Sequence, residues 1–161
     1  MFQVITLLII AVFVAIDQLI KLLVIEYLEP ISSLPLIDGI IRLKYAENTG
    51  AAFGSFKEKT SFLTIFTLIL IIYGIIYLLR KKRKPDFEYV CIIMIIAGGL
   101  GNLIDRLFRS FVVDYIEPLF IDFAIFNFAD ILVTCGCIAL AIWMIYDVYR
   151  ESKKEKGKND E

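Results

Sequence analysis

Four stretches of mostly apolar residues, about 3–25, 60–79, 89–107 and 128–146, restrict this chain to folds that a lipid bilayer can hold. Each is near the roughly 20 residues that an α-helix needs to cross a ~30 Å hydrocarbon layer. Inside lipid, backbone N–H and C=O groups must find partners within the segment, so runs of this length read as helices. With 161 residues, 59% of them hydrophobic, the whole chain (1–161) is expected to form one integral-membrane domain. No Lys or Arg precedes the first apolar run and no small-x-small cleavage signal follows it, so it reads as an anchor rather than a leader.

Positive charge orients such a bundle. Arg80-Lys81-Lys82-Arg83-Lys84 lies between the second and third runs, and Arg150, Lys153, Lys154, Lys156 and Lys158 follow the fourth. Both segments, and so both termini, are expected in the cytoplasm. Residues 26–59 and 108–127 become outer loops and 147–161 a cytoplasmic tail. These basic runs lack interleaved stacking aromatics, which argues against nucleic acid as a partner. In the first loop, Ile41, Leu43 and Tyr45 alternate with Arg42 and Lys44, the period of a strand. Asn48-Thr49-Gly50 then reads as a turn. The expected fold is therefore an all-α membrane protein of four transmembrane helices, with a small extracytoplasmic β-sheet cap. Cys91, Cys135 and Cys137 all fall in apolar runs without metal-site spacing and read as packing thiols.

Three acids inside the runs stop at one depth. Residues 1–16, 89–104 and 131–146 are uncharged, and each stretch ends against Asp17, Asp105 or Asp130 on the outer side. Sixteen residues rise roughly 24 Å in a helix, which puts all three near the outer edge of the hydrocarbon. Lys21 shares a helix face with Asp17, Asn102 with Asp105, and Asn127 with Asp130. Arg106, adjacent to Asp105, is expected to be its ion-pair partner. Charges at membrane depth cost at least ~2.5 kcal/mol each and usually face a bundle interior, where they mark a site.

Asp114, in the apolar stretch Phe111-Val112-Val113-Asp114-Tyr115-Ile116, can fold back from the second loop toward Asp130. Two carboxylates about 3 Å apart share a proton at neutral pH, so one can activate water while the other polarises a carbonyl. That chemistry needs neither metal nor cofactor, and histidine is absent from the chain. Asp122, between aromatics in the same loop, reads as a solvated loop residue. A small proton- or cation-coupled carrier would also use intramembrane carboxylates. Four helices, no visible internal repeat and acid-poor inner halves weigh against it. A Ser-Lys pair, a carboxylate metal site and a phosphate loop each lack a supporting motif.

Four blocks in order resemble the bacterial type II (lipoprotein) signal peptidases: Asp17-Gln18-Leu19-Ile20-Lys21, Asn48-Thr49-Gly50-Ala51-Ala52-Phe53, Gly101-Asn102-Leu103-Ile104-Asp105-Arg106 with Val112-Val113-Asp114, and Phe126-Asn127-Phe128-Ala129-Asp130. The resemblance covers nearly the whole chain. It implies an aspartyl endopeptidase of the bacterial cytoplasmic membrane, active at the outer leaflet. The implied partners are membrane lipid and prolipoprotein signal peptides cut just before a diacylglyceryl-modified cysteine. A monomer is expected. By the same resemblance, Asp114 and Asp130 are the catalytic pair. Asp17, Lys21, Asn48, Gly50, Asn102, Asp105, Arg106 and Asn127 match positions that line or brace the site. Two positions depart from the family pattern: Ser110 stands where glycine is usual, and Tyr115 where phenylalanine is usual.

Overall fold

The computed structural model describes residues 2–50, 59–80 and 86–159. Ala51, Ala52 and Phe53 of the second block, and Lys81 to Lys84 of the basic run, lie outside the described residues. Helix α1 (Phe2–Leu23) continues through a π-turn, Val24–Leu28, and a 3-10 turn, Glu29–Ile31. Next come strands β1 (Ser33–Ile37) and β2 (Ile41–Asn48), then helices α2 (Lys59–Arg80) and α3 (Phe87–Phe108). Strand β3 (Val112–Pro118) and helix α4 (Phe128–Asn159) complete the chain. Three helical stretches, Gln3–Ile31, Phe87–Phe108 and Phe128–Lys153, are long and apolar enough to cross a membrane. The apolar part of α2 among the described residues is shorter, Thr64–Arg80.

Helix α3 is the centre of the bundle, with α1, α2 and α4 packed around it. Its glycines allow this. A Cβ on Gly98 would meet the Ala129 carbonyl oxygen at 2.3 Å, so only glycine lets α4 come this close. Gly136 of α4 reciprocates against Cys91 and Ile95, which shows that α3 and α4 run antiparallel. Small residues at helix contacts are the usual device in a membrane, where burial alone does not drive association. At the opposite end from the sheet, Gln3 Nε2 donates to the Leu79 carbonyl at 2.7 Å, and Thr6 pairs with Tyr89 at 2.6 Å. Tyr77 bonds Glu88 at the same end. The N-terminus of α1, the C-terminus of α2 and the N-terminus of α3 thus meet there, and α4 runs back toward them. The outward surfaces are dense in exposed Leu, Ile and Val, such as Leu8, Val12 and Leu19 on α1 and Ile142 and Ile145 on α4. Such a surface marks contact with a membrane or with partner protein, and on helices of this length it fits lipid.

The sheet is antiparallel, in the order β1-β2-β3. Strand β2 occurs where the alternation of Ile41, Leu43 and Tyr45 places it. Strand β3 lies in the segment read from sequence as loop 108–127, and its Val-Val-x-Tyr-Ile composition is the signal for it. Val113 and Tyr115 pack with Val24 and Leu28 of the π-turn and with Leu43 and Tyr45 of β2, which seats the sheet on the C-terminal end of α1. Arg42 and Lys44 meet Glu117 across strands at 2.5 and 3.2 Å. Asp122 is exposed, as its loop position suggests. Of the cysteines only Cys91 is buried; Cys135 and Cys137 are exposed on α4, contrary to the packing expectation. An apolar run on a lipid-facing helix does not have to face protein.

Ser110, one residue past the C-cap of α3, has φ +69°, the left-handed conformation that closes many helices and favours glycine. This gives a physical reason for the usual glycine there. Because Ser110 is exposed, Ser110→Gly is expected to raise stability by about 0.5–1 kcal/mol, read as a higher thermal midpoint in detergent. A lower midpoint would contradict a strained turn.

Candidate active site

The site assembles where α4 begins. The leading N–H groups of a helix have no intrahelical partners, and here side chains supply them. Phe128 N–H donates to the Tyr115 hydroxyl at 3.1 Å, Ala129 N–H to Asp17 Oδ1 at 3.1 Å and Asp130 N–H to Asn127 Oδ1 at 2.9 Å. Asp130 Oδ2 in turn accepts the Asn127 N–H at 3.1 Å. Asn127 and Asp130 therefore form a reciprocal capping box. The i, i+3 pairing expected from sequence is present, with Asn127 just before the helix rather than on it.

Beneath this turn lies a buried ionic cluster. Asp17, Lys21 and Asp105 are fully buried. Lys21 Nζ reaches Asp17 Oδ2 at 2.9 Å, Asp105 Oδ2 at 3.0 Å and Asn102 Oδ1 at 2.8 Å, which uses all three ammonium protons. A Cβ on Gly101 would sit 2.5 Å from Asp17 Oδ2, so glycine is what admits that carboxylate between α1 and α3. Asp105 Oδ2 also accepts the Val113 N–H at 3.1 Å, fixing the start of β3 one residue before Asp114.

The expected Asp105–Arg106 ion pair does not form. Successive helix residues point about 100° apart, so neighbours cannot both face α1. Asp105 pairs instead with Lys21 and, one turn on, with Arg109 Nη1 at 2.5 Å. Gln18 joins the two sides: its Nε2 donates to Asp17, Asp105 and the Gly101 carbonyl, and its Oε1 accepts from Arg109. The roles of Gln18 and Arg109 were missed from sequence, although the i, i+4 spacing from Asp105 marks Arg109.

Two asparagines connect this base to Asp114 and Asp130. Asn102 Nδ2 donates to Asp130 Oδ1 at 2.7 Å. Asn127 Nδ2 donates to Asp114 Oδ1 at 2.7 Å and to Asn102 Oδ1 at 3.1 Å. The other oxygen of Asp114 accepts Asn48 Nδ2 at 2.9 Å. Asn48 is held by its own turn, its Oδ1 accepting the Gly50 N–H at 2.9 Å, with Gly50 at φ +86°. Asn127 thus touches both acids. Burial pushes the Asp114 carboxyl up to about 6, and the charge of Asp130 adds to this, while the bonds from Asn48 and Asn127 pull the other way.

Asp130 opens into a cavity of about 250 Å³ between α2, α3 and α4. Asn102, Arg106 and Asp130 form its polar end, and Phe66, Leu70, Ile71 and Val133 line much of the rest. Arg106 therefore faces this groove, away from the Asp17–Lys21–Asp105 cluster. The α2 wall was not singled out from sequence, because a charge-free helix offers no residue to mark.

Residues 9–146 match the family model for signal peptidase (SPase) II. The lipoprotein signal peptidase of Streptococcus pyogenes serotype M5 (strain Manfredo) is 40% identical over 129 residues, covering 80% of this chain and 85% of that protein. Its counterpart from serotype M3 (strain SSI-1) is 39% identical over the same length. A bacterial membrane enzyme solved by the in meso method at 2.3 Å superposes with a TM-score of 0.79 at 32% identity, covering 89% of this chain and 88% of that one. The match spans the polar layer, the sheet and the start of α4 together, and the chain belongs to the signal peptidase II family.

Proposed function

We propose that this protein is an aspartyl endopeptidase that cuts diacylglyceryl-modified prolipoproteins just before the lipidated cysteine, with Asp114 and Asp130 as the catalytic pair. As a signal peptidase II it is a multi-pass bacterial membrane protein that removes signal peptides from prolipoproteins, and the carrier reading is left without support. The observation that carries the aspartyl reading is the position of Asn127. Its side chain bonds Asp114, its backbone N–H bonds Asp130, and the latter opens into an apolar groove between helices. Two carboxylates held on one residue can act as an acid and a base and need no metal or cofactor. The groove has apolar walls for a signal peptide or acyl chain, and its polar end offers Arg106 and Asn102 to the peptide backbone.

In this reading α2 is the fourth span, the termini are cytoplasmic, and the sheet covers the site at the outer leaflet. The single domain, 1–161, works as a monomer. Support for the orientation comes from Arg80 at the end of α2 and Arg150 in the last part of α4, both toward the bundle end opposite the sheet.

Purified protein in detergent, with no ion gradient, is expected to cleave a diacylglyceryl-modified prolipoprotein and leave the lipidated cysteine as the new N-terminus, read by mass spectrometry. Equal cleavage of the unmodified precursor would overturn the lipid requirement; no cleavage of either would overturn the assignment.

The pair also fixes a pH dependence. Asp114 keeps its proton below about pH 6 and loses it above, so kcat/KM is expected to fall tenfold per unit on the alkaline side of a limb near there. Asn48 donates to the ionised form and so holds this value down. Asn48→Ala is expected to move the alkaline limb to higher pH, by about one unit. An unmoved limb would separate Asn48 from Asp114.

A further inference from the structure

We propose that a recess on α4 at the bundle end opposite the sheet, formed by Tyr146, Tyr149, Arg150 and Lys153, binds the headgroup of an anionic glycerophospholipid.

The recess ends a lipid-facing stripe. Ile138, Ile142, Ile145 and Tyr149 are all strongly exposed. Their spacings of four, three and four residues put them in one line along the helix. The line rises roughly 16 Å, ending where the apolar span Phe128–Lys153 itself ends. There Tyr146, Tyr149, Arg150 and Lys153 surround a recess of about 430 Å³. An acyl chain lying along the stripe brings its headgroup to this recess.

Charge selects the headgroup. Arg150 and Lys153 stand three residues apart, so two like charges sit on neighbouring turns, which costs free energy when nothing negative lies between them. Asp147 and Glu151, the acids nearest in the chain, do not line the recess. Among the described residues neither cation is in an ion pair. A phosphodiester supplies the missing charge. The guanidinium can take two of its oxygens side by side, and the ammonium adds a further donor. The tyrosines present apolar rings to the glyceryl region and hydroxyls to the headgroup. A zwitterionic lipid brings a cation of its own and leaves part of the repulsion in place.

The end of α2 shows what an interface anchor without this feature looks like. Tyr73, Ile76, Tyr77 and Arg80 line a recess of about 300 Å³ at the same end of the bundle. It has one cation among the described residues, and the Tyr77 hydroxyl already bonds the Glu88 carboxylate. Nothing there gathers an anion between two positive side chains.

The only tryptophan in the chain, Trp143, makes the site measurable. It is half-buried and lies seven residues before Arg150, roughly 10 Å along α4 and close to the same face. Full-length protein is placed in vesicles of equal parts phosphatidylglycerol and phosphatidylcholine with matched acyl chains, one lipid brominated at a time. Tryptophan quenching in wild type is expected to report about fivefold enrichment of phosphatidylglycerol over phosphatidylcholine. Arg150→Gln/Lys153→Gln is expected to abolish the enrichment. Both side chains are exposed, so the fold is retained, as an unchanged thermal midpoint would show. Lys156→Gln/Lys158→Gln takes the same charge from the tail, roughly 5 and 8 Å further along the chain than Lys153, and is expected to keep it. Excess soluble glycerol phosphate is expected not to compete. Equal quenching by the two lipids in wild type overturns the proposal. Equal losses in the two double variants would also overturn it, by revealing a diffuse basic surface. Competition by glycerol phosphate would overturn it in favour of a free-phosphate site. None of these readings depends on catalysis.

Discussion

Lys21→Met is expected to cost about 3–5 kcal/mol of fold stability, a large share of the 5–15 kcal/mol typical of a folded domain. The reason is the accounting of charge in a place water does not reach. Lys21 is fully buried and neutralises Asp17 and Asp105, themselves fully buried and held by 2.9 and 3.0 Å contacts. Removing the cation leaves Asp105 with Arg109, but leaves Asp17, among the described residues, with the Ala129 N–H and the Gln18 amide. The loss therefore falls mainly on Asp17. Asp17→Asn in the Lys21→Met background is expected to recover part of the stability, a coupling that a double-mutant cycle reads directly. Equal midpoints for wild type and Lys21→Met would mean that the cluster is not an ionic support.

Much of this arrangement is legible in the sequence, for a physical reason. Charges cannot be scattered through hydrocarbon, so the uncharged stretches preceding Asp17 and Asp105 and following Asp130 place those acids at one depth without knowledge of packing. The structure links all three through Lys21 and Asn102, in and beneath the turn that starts α4. Helical spacing also gives Asp17 with Lys21, and strand alternation gives β2. What stays hidden is whatever depends on direction around a helix or on a turn. Arg106 and Arg109 are equally plausible partners for Asp105 by charge, and only the angle between successive side chains assigns Arg109. Strand β3 escapes because a short apolar run has no period of its own to show. The hydroxyl of Tyr115, a departure from the family pattern, accepts the first N–H of α4, and composition alone does not reveal that.

The second large effect falls on the chemistry. Asp114→Asn and Asp130→Asn are each expected to lower kcat by 10²–10⁴-fold, the contribution of a positioned acid or base. Neither substitution removes the buried charge balance beneath, since Lys21, Asp17, Asp105 and Arg109 remain paired. The helix cap also survives in part, because Asn127 still receives the Asp130 N–H through its side chain. Activity should therefore fall far more than stability. That separation distinguishes a catalytic pair from a polar plug, in which activity and stability would fall together.

Turnover of a diacylglyceryl-modified prolipoprotein by purified Asp114→Asn and Asp130→Asn proteins, beside wild type and with folding checked by thermal midpoint, is the most direct measurement. Both variants are expected to be folded and to cleave at least about 10²-fold more slowly. A folded variant that cleaves at the wild-type rate would show that Asp114 and Asp130 are not the catalytic pair.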